Sequence, residues 1–146
     1  MRASTALRLL TGLMYTMGGL ALCATAAIAM PTAWMVSTAE WLEVGPLPRM
    51  PLVEYLTRSL AAVYALIGAL AVYLARDVRR NLDLVVFGGW LTIALGIVLT
   101  IVDFGVGMPA SWSWGEGPPT VLLGWGFVWL ARRAGAPEGR SGSRSS

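Results

Sequence analysis

Four ionisable residues stand within or beside long apolar runs, and they are where chemistry could reside. Glu54 and Arg58 lie four apart in "EYLTRSL". On a helix that spacing makes them neighbours, with the acid on the favourable N-terminal side. Asp103 ends the run "LTIALGIVLTIVD", and Glu116 sits in "WSWGEGPP". An arginine–carboxylate fork gains strength where water is scarce, although desolvation of both partners can cancel the gain. Arg58 therefore has three readings. It pairs with Glu54 and, across a helix contact, with Asp103; it snorkels to the headgroups; or it clamps an anion or a headgroup. With Glu116 near the same rim, the four residues outline an outward-facing polar pocket.

The residue types that are missing narrow the chemistry further. The chain has no His and a single cysteine, Cys23. Haem and zinc sites of the usual His/Cys kinds are not available, nor is histidine acid–base or triad chemistry. No metal, cofactor or catalytic residue is expected, and an enzymatic role is not favoured. All eleven basic residues are arginines, against eight acids. They cluster at the ends of apolar runs rather than along one soluble face, so nucleic acid is not an expected partner.

These residues must be positioned by membrane helices. Of the 146 residues 56% are hydrophobic and 13% charged, and "LIGALAVYLA" offers no polar positions for a wet face. The expected fold class is all-α, a polytopic four-helix transmembrane bundle over residues 1–133. The first span covers about Leu7 to Met30. It imitates a signal peptide, but its apolar length favours a retained helix. The second runs from about Leu52 to Ala75, opened by Pro51. The third runs from Leu82 to Asp103, with Asn81 as its N-cap. "RDVRRN" between them reads as a tight turn, making those two spans an antiparallel hairpin.

The fourth span poses a problem of length. Pro118 to Ala131 would cover only about 21 Å, against roughly 30 Å of hydrocarbon. Extending back to Pro109 adds length but places Pro118 and Pro119 inside the helix, where they cannot bond the carbonyls of Trp114 and Gly115. The expectation is a broken or short fourth span. Arginine placement argues that it crosses. Nine of the eleven arginines then lie on the side of the N-terminus, which the positive-inside rule makes cytoplasmic, with both termini inside. The loop "PTAWMVSTAEWLEVGPLPRMP" reads as a short interfacial helix. Trp34, Met35, Trp41 and Leu42 share one face, Ser37, Glu40 and Glu43 lie elsewhere, and Gly45 and Pro46 close it. Residues 134–146 read as a disordered cytoplasmic tail.

Small residues suggest how the spans pack, because close backbone approach replaces the missing hydrophobic drive in lipid. The candidate packing positions are Gly12 and Gly19 in the first span and Ala61 or Ala62, Ala65 and Ala69 in the second. In the third they are Gly88, Thr92, Gly96 and Thr100.

The first helix, with "LTGLMYTMGGLAL", and the second, "EYLTRSLAAVYALIGALAVYLARD", together with the four-span layout, resemble small bacterial four-helix membrane proteins of the DoxX-like kind. The resemblance covers roughly Leu7 to Ala131 and implies a four-helix bundle in a bacterial inner membrane, with Arg58 the conspicuous polar residue of its second helix. Some members of that group resemble membrane subunits linked to sulfur-compound or quinone-dependent oxidation, and many have no assigned activity. No catalytic residue carries over, and a lone Cys23 departs from any member that uses cysteines. Two functions are expected to compete. One is a non-catalytic membrane subunit or structural bundle, surrounded by lipid and docking a larger complex or further copies of itself. The other is a carrier or binder of a small lipid-soluble or anionic molecule at the polar pocket.

Overall fold

The computed structural model describes residues 2–42, 48 and 50–136, and among these it is helical, with no strand. The helices are α1 (Ala3–Leu22), α2 (Thr25–Ile28), α3 (Thr32–Trp41), α4 (Pro51–Ala75), α5 (Leu82–Val106) and α6 (Ala110–Gly135). Three stretches, Ala3–Ile28, Pro51–Ala75 and Leu82–Val106, are long and apolar enough to cross a membrane. The chain is therefore an all-helical integral membrane protein. Glu43, Gly45, Pro46 and Arg49, and the tail from residue 137 onwards, lie outside the described residues.

Several boundaries differ from expectation. The first span starts at Ala3, well before Leu7, and is interrupted at Cys23–Ala24 between α1 and α2. At the other end of the chain, helix continues through Ala134 and Gly135, the first residues assigned to a tail. α5 extends past Asp103 to Val106 and stops at Gly107, whose φ of +79° is left-handed and suits glycine. The expected break in the last helix is absent. α6 runs for 26 residues straight through Pro118 and Pro119. Packing outweighs the two lost backbone bonds, because α5 grips the helix on both sides of the proline pair, at Gly117 and at Val121.

Glycine decides which helices lie together. A methyl group added at Gly89 would come 3.0 Å from the carbonyl oxygen of Gly124, and one at Gly124 would come 2.7 Å from that of Gly89. Gly96 and Gly117 oppose each other in the same reciprocal way, at 2.9 and 3.1 Å, and Thr100 also presses on Gly117. Residue numbers rise on α5 as they fall on α6, so these helices are antiparallel along their shared length. A third reciprocal pair, Gly18 and Gly68 at 3.0 and 2.6 Å, joins α1 to α4. Such approach brings backbone against backbone and maximises dispersion contact where hydrophobic drive is lacking.

The expected α4–α5 hairpin does not form as a packed pair. Although a short turn joins them, the extended contacts are α5 with α6, α1 with α4, and α1 with α6. Glycine-lined faces draw α4 to α1 and α5 to α6, which leaves α1 and α6 as the central pair. The two pairs are locked together at one end. Ala6, Leu10, Met14, Ala75, Val78, Val85, Leu130 and Ala131 form a common core there, with Ala6 and Leu10 fully buried. Arg76, Arg132 and Arg133 at that end each lie over an aromatic ring, those of Tyr73, Trp90 and Trp129, at 5.5–5.9 Å. Among the described residues no comparable buried core joins the four long helices at the opposite end, where α1 and α6 border an open groove.

The candidate packing residues divide accordingly. Gly96 is buried in the α5–α6 seam, Thr100 lies beside it, and Ala65 is buried on α4. Gly12, Gly19 and Gly88 have nothing within 4 Å of an added methyl group. Ala62 and Ala69 are exposed and Thr92 is partly buried. The buried α4 face is Ala61, Ala65, Gly68 and Ala75, one helical position round from the expected stripe at its upper end. A rotation of about 100° separates consecutive residues, so a one-residue offset turns a face aside from its neighbour.

Candidate functional site

Arg58 sits two turns into α4, opposite the end of α2. Its Nε and Nη2 donate to Glu54 Oε1 at 3.1 and 2.7 Å. Nη2 also donates to the Met30 carbonyl at 3.2 Å, and Nη1 donates to the carbonyl of Ile28. Ile28 is the last residue of α2, where carbonyls lack intrahelical partners and the helix dipole favours a cation. The guanidinium thus closes the end of the first membrane segment and ties it to α4. With side-chain exposures of 32% for Arg58 and 40% for Glu54, the pair is only half withdrawn from its surroundings.

The expected partnership between Arg58 and Asp103 is not present. Arg58–Glu54 is the only ion pair among the described residues. Asp103 lies instead in the contact between α5 and α6, 6% exposed, with no hydrogen-bond donor to its Oδ2 among the described residues. Its backbone carbonyl accepts from the N–H groups of Gly107 and Met108 at 3.1 and 2.9 Å, closing α5. Ser113 on α6, fully buried, turns its hydroxyl back to the Pro109 carbonyl at 3.5 Å. The separation has a topological cause: α4 packs on α1, and α5 packs on α6.

Glu116 belongs to a third location. The indole Nε1 of Trp112, one turn earlier on α6, donates to its Oε2 at 2.7 Å. The carboxylate lines an open groove of about 590 Å³ between α1 and α6, with Met17, Trp112, Gly115, Pro119 and Leu123 among its walls. The four candidate residues therefore form three separate features: a helix-end clamp, a buried carboxylate, and a groove. They do not form one pocket.

Five residues that make the tightest contacts, Gly18, Gly68, Gly89, Gly117 and Gly124, lie outside the expected packing positions. A signal for the α5–α6 seam was present, since Gly89/Gly96 and Gly117/Gly124 are each spaced by seven, two full turns on one face. The groove residues Met17 and Trp112 carried no such signal, because only the tertiary arrangement brings α1 beside α6.

Fold and site together define a class: a small helical membrane protein with three helices of spanning length and apolarity, a fourth long helix sealed against the third by glycine, and arginine clusters at one end. No family model, no curated protein and no solved structure matches the chain.

Proposed function

We propose that the chain is a non-catalytic integral membrane subunit, a four-crossing bundle that docks against a larger membrane partner. The observation that carries this reading is a repeated surface device with one copy filled and two empty. Thr100, Thr92 and Thr16 each donate a hydroxyl to the carbonyl of the glycine four residues earlier, Gly96, Gly88 and Gly12, at 2.7, 2.8 and 2.9 Å. In the first case the resulting flat, self-satisfied face is covered by Gly117 of α6. An added methyl group at Gly12 or Gly88 meets nothing within 4 Å among the described residues. Lipid chains gain little from a flat glycine face, whereas another helix gains close dispersion contact.

The remaining parts of the proposal rest on the fold. α6 is about 39 Å long and lies antiparallel against α5 from Gly89/Gly124 to Gly96/Gly117. A crossing by α5 therefore carries α6 with it. Arg2, Arg8, Arg76, Arg79, Arg80, Arg132 and Arg133 then face the cytoplasm, with both termini inside a bacterial inner membrane. α3 lies in the outer interface on its tryptophans, Trp34 and Trp41, both exposed. Kinship with DoxX-like bundles accords with this layout. An anion carrier centred on Arg58 is disfavoured, because four of its five N–H donors already serve Glu54 and two carbonyls.

Purification of the tagged chain in mild detergent tests the docking. A stoichiometric membrane partner is expected, released by the double substitution Gly12→Ile/Gly88→Ile without loss of helicity or melting temperature. A chain that elutes alone, with lipid only, would end this reading. A second copy in place of a partner would make the bundle a homo-oligomer through the same faces.

A further inference from the structure

We propose that the groove between α1 and α6 binds an amphiphile bearing a primary ammonium group, held by Glu116 with its tail along Met17 and Leu123. This inference is independent of docking at Gly12 and Gly88. The groove combines an apolar length with a short acceptor-rich segment. Glu116 Oε2 is fixed by the Trp112 indole, so the carboxylate is oriented before any ligand arrives and Oε1 is left for one. Gly115 and Pro119 both line the wall. Because proline has no N–H, the carbonyl of Gly115 has no donor four residues on, and the unfilled acceptor falls on the groove side of α6. The hydroxyls of Ser111 and Thr120 complete the polar segment; that of Thr120 is turned to the Glu116 carbonyl at 2.7 Å.

Among the described residues no Arg lines this groove and Glu116 is its one formally charged side chain, so its spare hydrogen-bonding capacity is for donors. An ammonium group matches both requirements, as it carries one positive charge and three N–H donors with no acceptor. The Trp112 ring adds a cation-attracting wall. Glu116 lies about 9 Å along α6 from its start, so the head of the ligand sits in the outer part of the bundle and the tail runs deeper, past Leu123. A free alkylamine and the ammonium of a phosphatidylethanolamine headgroup share this chemistry.

Full-length protein in phosphatidylcholine nanodiscs provides the test. Thermal unfolding is followed with dodecylamine, and with dodecyltrimethylammonium, which has the same tail and charge but no N–H. A parallel series replaces part of the phosphatidylcholine by phosphatidylethanolamine of the same chains, with retained lipid read by native mass spectrometry. The primary ammonium form is expected to raise the unfolding midpoint and the trimethyl form to leave it unchanged. A response to dodecylamine alone identifies a free amine as the ligand; selective retention of phosphatidylethanolamine identifies the headgroup. Glu116→Gln should weaken binding by about tenfold or more, the effect of losing one charge-assisted hydrogen bond. Gly115→Leu, at a position with nothing within 4 Å, should fill the groove and abolish binding while the unliganded midpoint is kept. It decides the matter if the Glu116 variant does not fold. Equal responses to the primary and trimethyl heads, or unchanged binding in Gly115→Leu, would overturn the proposal.

Discussion

At the residue scale, the three carboxylates near one end of the bundle have different fates. Glu54 is spent on Arg58, Glu116 is oriented by an indole, and Asp103 Oδ2 is buried without a donor. Arg58→Leu removes a helix-end donor and strands Glu54, and is expected to cost about 1–3 kcal/mol, moderated by partial exposure of the pair. Arg58→Lys should recover only part of this, since one ammonium cannot reproduce a fork that reaches Glu54, Ile28 and Met30 together. Asp103→Asn should raise the melting temperature in detergent, because a neutral amide costs less to bury than a carboxylate. A fall instead would show that something beyond the chain serves this carboxylate. Arg58→Leu and Asp103→Asn should be additive to within about 0.5 kcal/mol, as expected for sites with no shared partners. Significant coupling in that cycle would contradict the separation of the two residues.

At the scale of elements, the glycine pairs explain why α6 remains one helix despite its prolines and why it follows α5 so closely. Placing a methyl group at Gly96, Gly117 or Gly124 drives it against the opposing backbone, which cannot rotate away as a side chain can. Each alanine substitution there is expected to cost about 1–3 kcal/mol, the usual cost of overpacking. Gly12→Ala and Gly88→Ala meet open space, and relief of glycine's backbone entropy should make them neutral or stabilising by about 0.5–1 kcal/mol. Unfolding of all five variants in one detergent would separate the classes. Similar losses at Gly12 and Gly96 would mean that the described seam is not the tight one.

At the scale of the molecule, the first segment is part of the bundle's foundation. Ala6 and Leu10, both fully buried, pack with Ala75, Val85 and Leu130 from the other helices. Intact-mass measurement of the purified protein is expected to find α1 retained, because its removal would expose the only core shared by all four long helices among the described residues. A mass lacking roughly the first thirty residues would show a processed leader. Reporter fusions after Arg133 should be active on the cytoplasmic side. A periplasmic result would remove α6 from the membrane and with it the groove beside Glu116.

That this is a helical membrane protein follows from the residues alone, since unbroken apolar runs of this length satisfy their backbone in lipid within one helix, whereas a barrel strand facing a polar interior would alternate. The sequence also located α4 and α5 to within a few residues and placed Glu54 beside Arg58, because those features depend on local spacing along one helix. Which helices touch was decided only by tertiary structure. Periodicity names a face but not the neighbour it meets, and a one-residue offset is enough to move Gly88 to the open surface and Gly89 into the seam. The same reason separated Asp103 from Arg58, since the turn after Ala75 constrains where α5 begins but not which helix it packs against. Pro118 and Pro119 predict a break when only the local chain is considered. The contacts Gly96/Gly117 and Gly89/Gly124, whose spacing is legible in the sequence but whose pairing is not, hold that segment as one helix.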